Sequence, residues 1–230
     1  MRKNDFIFIS IILLVIVPLV LWEKSLNAYL AFNKDHGMIT SFIKFGILAT
    51  IGELIGLRIR TGNYIQKGFG IFPKVIIWGF LGLTIKLAFI IFATGTPIFL
   101  SYMGIENATI AMKSSLTWTK LGVAFSISIA MNTIYAPIMM TFHKITDVHV
   151  AKYGGKLKSL LTPINFAAIL KQIDWNVQWN FVFKKTIPIF WIPAHTITFL
   201  LPPDYQVLFA AVLSIILGLI LAVASLKSEK

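Results

Sequence analysis

The chain has 230 residues, of which 57% are apolar or aromatic and only 13% charged, with a mean hydropathy of +0.81 and a formal net charge of +12. An ordinary water-soluble domain carries about twice that share of charge and leaves roughly a quarter of its unfolded area in contact with water, so this much apolar surface has to be covered by lipid. The same figures exclude a disordered chain, a coiled coil and a collagen, and the absence of cysteine excludes a disulfide-stapled secreted fold.

A helix that crosses about 30 Å of hydrocarbon needs roughly 20 mostly apolar residues. Windows of that kind fall near 6–22, 38–57, 75–100, 117–141, 181–201 and 206–226. The fold expected is all-α: one polytopic membrane bundle over residues 1–230, with about six transmembrane helices and a long loop at about 142–180. Four or five helices stay open, because the first window is short and only Pro202, Pro203, Asp204 and Tyr205 separate the last two. Arg2 and Lys3 ahead of the first window also suit a signal peptide. Trp22, Glu23 and Lys24 follow, however, without a pair of small residues ahead of a cleavage point, which favours a retained anchor.

Lysine and arginine are enriched in cytoplasmic loops. With six helices, fifteen of them fall on one side, in the N-terminus, the second and fourth loops and the C-terminus, against three (Lys24, Lys34 and Lys113) on the other. Both termini and the long loop are therefore expected on the cytoplasmic, negative-inside face. The positive charge then reads as an orientation signal and an attraction to anionic head groups rather than a nucleic-acid footprint. Membrane lipids are the expected partners, and self-association stays open. In the long loop, the stretch from Ile164 to Trp179 mixes Phe166, Ile169 and Ile173 with Lys171 and Asp174. That mixture reads as an amphipathic helix in the head-group plane, with Trp175 and Trp179 on one face. No internal repeat is evident.

An ionisable group inside a span is costly enough to mark a functional hypothesis once snorkelling is set aside. Lys44 and Lys120 sit near the outer ends of their windows and can snorkel. Lys86 lies about 16 Å into the third window at 1.5 Å per residue, and needs water, carbonyl oxygens or an acid. Glu53 is the one acid within a window. It is expected either to meet Lys86 across two antiparallel spans or to pair with Arg58 near the interface. Gly52 and Gly56 make a small-xxx-small step that admits a close neighbour, with Gly79 and Gly82 as candidate counterparts. Ser128, Asn132 and Tyr135 share one helix face, which could line a pore or, the commoner use, bond to an adjacent helix. Pro137 is expected to kink that span. Pro188 and Pro193 interrupt the fifth, and backbone broken at membrane depth needs protein or water around it, so His195 and Thr198 are expected to face inward.

No catalytic constellation emerges. His36, His143, His149 and His195 stand in separate segments, no metal-ligand spacing of the HExxH kind is present, and Tyr153-Gly154-Gly155 is too short to cradle a phosphate. No enzyme, metal or cofactor is expected.

Several segments resemble the Mpv-seventeen/peroxisomal-membrane-protein family, small channel-like proteins of organelle membranes with prokaryotic relatives. Phe45 to Ile55 is similar to its glycine-then-acid motif, with Glu53 in place of the usual aspartate. Gly70, Pro73 and Trp78 resemble its glycine-proline-aromatic segment. Asn132-Thr133-Ile134-Tyr135-Ala136-Pro137 is similar to an Asp-Gln stretch ending in Ala-Pro, with Asn132 and Thr133 as departures. Trp191, His195, Thr198, Phe199 and Pro203 follow the spacing of a Trp-Gln-Asn-Phe-Pro motif, with His195 for Gln, Thr198 for Asn and Val207 where an Arg is usual. The correspondences cover about 45–207, and the family is generally described with four spans. The resemblance implies a small, poorly selective channel or metabolite-flux protein.

The expected function is thus channel-like passage of ions or metabolites, with Glu53, Lys86, Asn132, Tyr135, His195 and Thr198 inside the bundle. The alternative is a non-catalytic scaffold or binding subunit of a larger transporter. The expected location is the cell membrane of a prokaryote, or an organelle membrane in a eukaryote.

Overall fold

The structure is a computed structural model that describes residues 3–228; side chains at 3, 4, 11, 13, 15, 16, 18–20 and beyond 220 lie outside the description. Arg2 and Lys230, counted above for orientation, also lie outside the described residues. The described residues are mostly helical, with no strand among them. The chain divides into two compact units, residues 1–40 and residues 41–230.

The first unit holds α1 (Lys3–Leu21) and α2 (Glu23–Asp35), which pack on one another. Its buried Asn33 accepts a hydrogen bond of 2.8 Å from the Thr40 hydroxyl.

The second unit is built around three long helices, α3 (Gly37–Thr61, most of which belongs to it), α4 (Ile71–Tyr102) and α6 (Trp118–Lys152), with the four-residue α5 (Ala108–Ala111) between the last two. Their 25, 32 and 35 residues are mostly apolar. After α6 come three short helices, α7 (Lys158–Leu161), α8 (Phe166–Leu170) and α9 (Trp175–Val177). A 14-residue π-helix, Gln178–Trp191, leads into α10 (Ile192–Leu200), and α11 (Pro203–Ser228) ends the description. Among the described residues, four helical segments are long and apolar enough to cross a membrane: Gly37–Thr61, Ile71–Tyr102, Trp118–Lys152 and Pro203–Ile220. The protein is an all-α helical membrane bundle.

Three boundaries differ from the sequence expectation. The third long helix does not stop near 141 but runs to Lys152, because no breaker follows Pro137 until Gly154. The stretch from Ile164 to Trp179 is not one amphipathic helix but α8, a turn and α9, with Asn165 and Asp174 each accepting a backbone N–H as side-chain caps. Such caps start new helices and so cut a longer one. The fifth window is likewise not a continuous α-helix. Gln178–Trp191 winds with the wider π-turn and carries Pro188 inside it, while Pro193 stands in the first turn of α10, where a missing N–H is tolerated. Ile192 N–H donates to the Ile187 carbonyl five residues back, and the Thr186 hydroxyl reaches the Phe181 carbonyl, also five back.

Phe45, Ala49, Ile85, Phe89, Ala124, Ile127, Met131 and Phe199 fill the core where α3, α4, α6, α10 and α11 meet. The opposite faces stay greasy: Phe80, Leu87, Ile91 and Ile98 of α4 recur every four or seven residues and are all more than half exposed. A stripe of this kind on a helix whose other side is packed is the surface that lipid covers.

Small residues set the closest helix approaches, though not in the pairs expected. A Cβ on Gly52 would come within 3.0 Å of the Ser214 carbonyl and Ile215 Cα, and one on Gly218 within 2.8 Å of the Gly52 carbonyl, so the partner of Gly52 is α11. Gly56 has ordinary clearance. Gly79 and Gly82 do admit α3, but around Phe42, Ser41 and Phe45, more than a turn before Gly52.

Candidate functional site

Glu53 lies in the second half of α3, Lys74 and Trp78 in the first two turns of α4, and His143 and Asp147 one turn apart in the last third of α6. Antiparallel neighbours bring these ends together. Lys74 Nζ lies 2.5 Å from Glu53 Oε2 and also donates to Asp147 Oδ1. Trp78 Nε1 donates to Glu53 Oε1 at 2.6 Å, and His143 Nε2 approaches the same oxygen at 3.1 Å and Asp147 Oδ1 at 3.8 Å. The Trp78 and His143 rings lie 4.3 Å apart. Both Glu53 oxygens are thus engaged, which is the condition under which a carboxylate can sit in apolar surroundings.

Glu53, His143 and Asp147 offer ligand atoms within 4.8 Å of one another, a grouping that could hold a cation. The cation they already gather around is the Lys74 ammonium, which bridges the two carboxylates.

The cluster forms one wall of a cavity of about 600 Å³. Its apolar walls include Met139, Met140, Phe181, Val182 and Leu217, and Arg60, Lys144 and Asp174 add charge around it. Trp78, Met139, Met140, Trp191 and Ser214 also line a second space of about 40 Å³ that runs in among Phe45, Asn132, Tyr135 and His195.

Beyond it a polar network closes the interior. Asn132 and Ser128 are fully buried; Asn132 Nδ2 donates to the Ser128 carbonyl at 2.8 Å and lies 3.0 Å from His195 Nδ1, while the Ser128 hydroxyl donates to the Ile192 carbonyl at 2.7 Å. The His195 ring stacks on Trp191 at 5.0 Å and meets the edge of Phe89. Thr198 is fully buried and donates to the Ala194 carbonyl.

The residues singled out from the sequence divide accordingly. Glu53, Asn132, Tyr135 and His195 line one or other cavity, and Asn132 and His195 meet directly. Thr198 is interior but satisfied within its own helix. Tyr135 bonds to Thr84 at 2.7 Å. Lys86 does not meet Glu53: it is half-buried, lines neither of these two cavities, and lies within electrostatic range of Lys44, which also feels Asp204. The reason is register, since Lys74 enters α4 three turns earlier at the depth of Glu53. Lys44 is buried and does not snorkel, whereas Lys120 reaches the Ser114 carbonyl at the end of its helix. Glu53 is not the only acid in a long apolar helix either, because the extension of α6 brings in Asp147.

Lys74, His143 and Asp147 are the residues that sequence reading missed. His143 and Asp147 stand at i and i+4, a spacing that puts both on one helix face, and this was the available signal. Compared with known proteins, the chain matches no family model, no curated protein and no solved structure.

Proposed function

We propose that this protein is a channel-like membrane protein that passes ions or small metabolites, with the large cavity as its vestibule. One observation carries the reading: the cavity of about 600 Å³ shares five wall residues with the narrower space leading to Asn132, Tyr135 and His195 in the bundle interior. A vestibule followed by a constriction and a polar interior is the arrangement a permeation path needs, because pore diameter and lining groups decide what passes. The resemblance to the Mpv-seventeen/peroxisomal-membrane-protein family points the same way, with Glu53 in the acid position and Trp78 in the aromatic one. On this reading the charged cluster is a gate wall, not a catalytic site. The vestibule opens on the face that carries the basic loops, the cytoplasmic one, in a prokaryotic cell membrane or an organelle membrane.

The test is flux through the full chain in liposomes, over small ions and metabolites. Ser214→Trp, which fills the wall shared by both spaces, should reduce flux at least tenfold, and Lys86→Met should leave it nearly unchanged. Wild-type flux no greater than that of empty vesicles would overturn the proposal.

A substrate-capturing subunit of a larger transporter is the second reading. The closed floor built by Ser128, Asn132 and His195 favours it, since a one-sided pocket can capture without conducting. Co-purification of a defined partner, together with absent conductance, distinguishes it.

A further inference from the structure

The charges gathered at the cavity wall do not balance. Glu53 and Asp147 bring two carboxylates against one permanent cation, the Lys74 ammonium, and the fourth member of the cluster is an imidazole that can be neutral or cationic. With His143 neutral the cluster carries one net negative charge; with one further proton it carries none.

No neighbouring element supplies the missing charge. Arg60 on α3 and Lys144 on α6 line the cavity, but both are exposed, and neither forms an ion pair with Glu53 or Asp147 among the described residues. Beyond α6, the one charged group that lines the cavity is Asp174, which is exposed and negative, and α11 contributes only Ser214, Leu217 and Gly218. The charged groups that act on His143 are Asp147, Glu53 and Lys74. Exposed charges are screened by water and salt far more than contacts within the cluster.

The cluster also has a front and a back. The Lys74 side chain is 8% exposed and does not line the cavity, whereas those of Glu53, His143 and Asp147 line it and are 22%, 20% and 31% exposed. The fixed cation therefore stands behind the acids, and the titratable ring adjoins the cavity. His143 Nε2 lies 3.1 Å from Glu53 Oε1 and 3.8 Å from Asp147 Oδ1, so in the neutral ring this nitrogen carries the hydrogen, since a bare nitrogen and a carboxylate are both acceptors. The atom left to take a proton is Nδ1, which makes no hydrogen bond among the described residues.

We propose that His143 holds an exchangeable proton at the cavity wall. Nδ1 takes a proton from hydronium in the cavity and leaves water, Nε2–H stays on Glu53, and the cluster passes from one net negative charge to none. The site takes a proton rather than a metal ion, because the Lys74 ammonium already fills the position between the two carboxylates. Proton uptake thus removes the charge that this wall presents to a guest in the cavity, whether or not that guest crosses the bundle.

The test is histidine-ring NMR on the full chain in detergent, with the ring nitrogens of the four histidines labelled and His143 assigned by His143→Gln, over roughly pH 5 to 10. The expected result is a neutral His143 protonated at Nε2 at the alkaline end, and one reversible transition at Nδ1 on acidification. An opposite charge within about 4–6 Å favours the charged form, so Asp147→Asn and Glu53→Gln should each weaken proton binding about tenfold. Arg60→Gln, Lys144→Gln and Asp174→Asn, at exposed positions, should change it less than about twofold. Each acid variant leaves Lys74 one carboxylate partner, and the tautomer and the transition are read on the wild type, so failure of a variant to fold does not shelter the proposal. A neutral ring protonated at Nδ1, no transition in this range, or equal changes from the cluster variants and the exposed ones would overturn it.

Discussion

Lys74 is the residue on which the charged cluster depends. Its ammonium bridges Glu53 and Asp147, so Lys74→Met leaves two carboxylates facing each other with only His143 between them. Removing one partner of a buried ion pair costs about 3–5 kcal/mol. Glu53→Gln costs less, about 1–3 kcal/mol, because Lys74 keeps Asp147 and the amide oxygen still accepts from Trp78. Thermal unfolding in detergent should therefore rank wild type above Glu53→Gln and Glu53→Gln above Lys74→Met; the reverse order of the two variants would show that the bridge is not what holds the helix ends. A second test lies at Asn132. Asn132→Leu strands the His195 ring nitrogen in the buried interior, and a loss of about 1–3 kcal/mol is expected. Glu53, Asn132 and His195 could be named from sequence because a polar group in an apolar window is conspicuous. Lys74 could not, since a lysine just after a glycine-proline loop looks like an ordinary loop charge, and only the depth at which α4 begins turns it into a partner for Glu53.

Among the elements, the two glycine-containing loops flanking the cluster constrain each other. Gly70 opens α4 and Gly155 follows α6, both with positive φ (+73°), and their backbones touch: a Cβ on Gly155 would fall 2.6 Å from Gly70 N, and one on Gly70 would fall 2.9 Å from Gly155 Cα. This contact ties the start of α4 to the end of α6, and so holds Lys74 opposite Asp147. Gly154, with φ +65°, has open space around its Cβ position. Gly154→Ala should cost only the left-handed conformation, about 1–2 kcal/mol, whereas Gly155→Ala adds a backbone collision and should lower Tm clearly further. Equal losses would mean the loops separate freely. Helix type and order were legible wherever apolar windows were long and uninterrupted, as in α3 and α4. They were not legible where local caps compete with periodicity, at Asn165 and Asp174, or where the backbone winds as a π-helix from Gln178 to Trp191. Periodicity carries no signal for i→i+5 pairing.

At the scale of the molecule in its membrane, the cluster and the charge bias bear on one question, which face of the bilayer the cavity meets. Glu53, Lys74 and Asp147 lie at the helix ends that adjoin the loops bearing Lys67, Lys152, Lys156 and Lys158, and the turn between α4 and α6 bears Lys113 alone among basic residues. A lysine-rich loop is retained on the negative side because moving each positive charge outward runs against the membrane potential and away from anionic lipid. The absence of cysteine makes the orientation directly measurable, since any introduced thiol is unique. Single substitutions Lys67→Cys and Lys156→Cys should react with an impermeant maleimide only after the membrane is opened, and Lys113→Cys should react in intact cells. If Lys67→Cys and Lys113→Cys labelled alike, an odd number of crossings between them would be excluded and α4 would not span. If all three behaved in the opposite sense, the cavity beside Glu53 would lie toward the outer face.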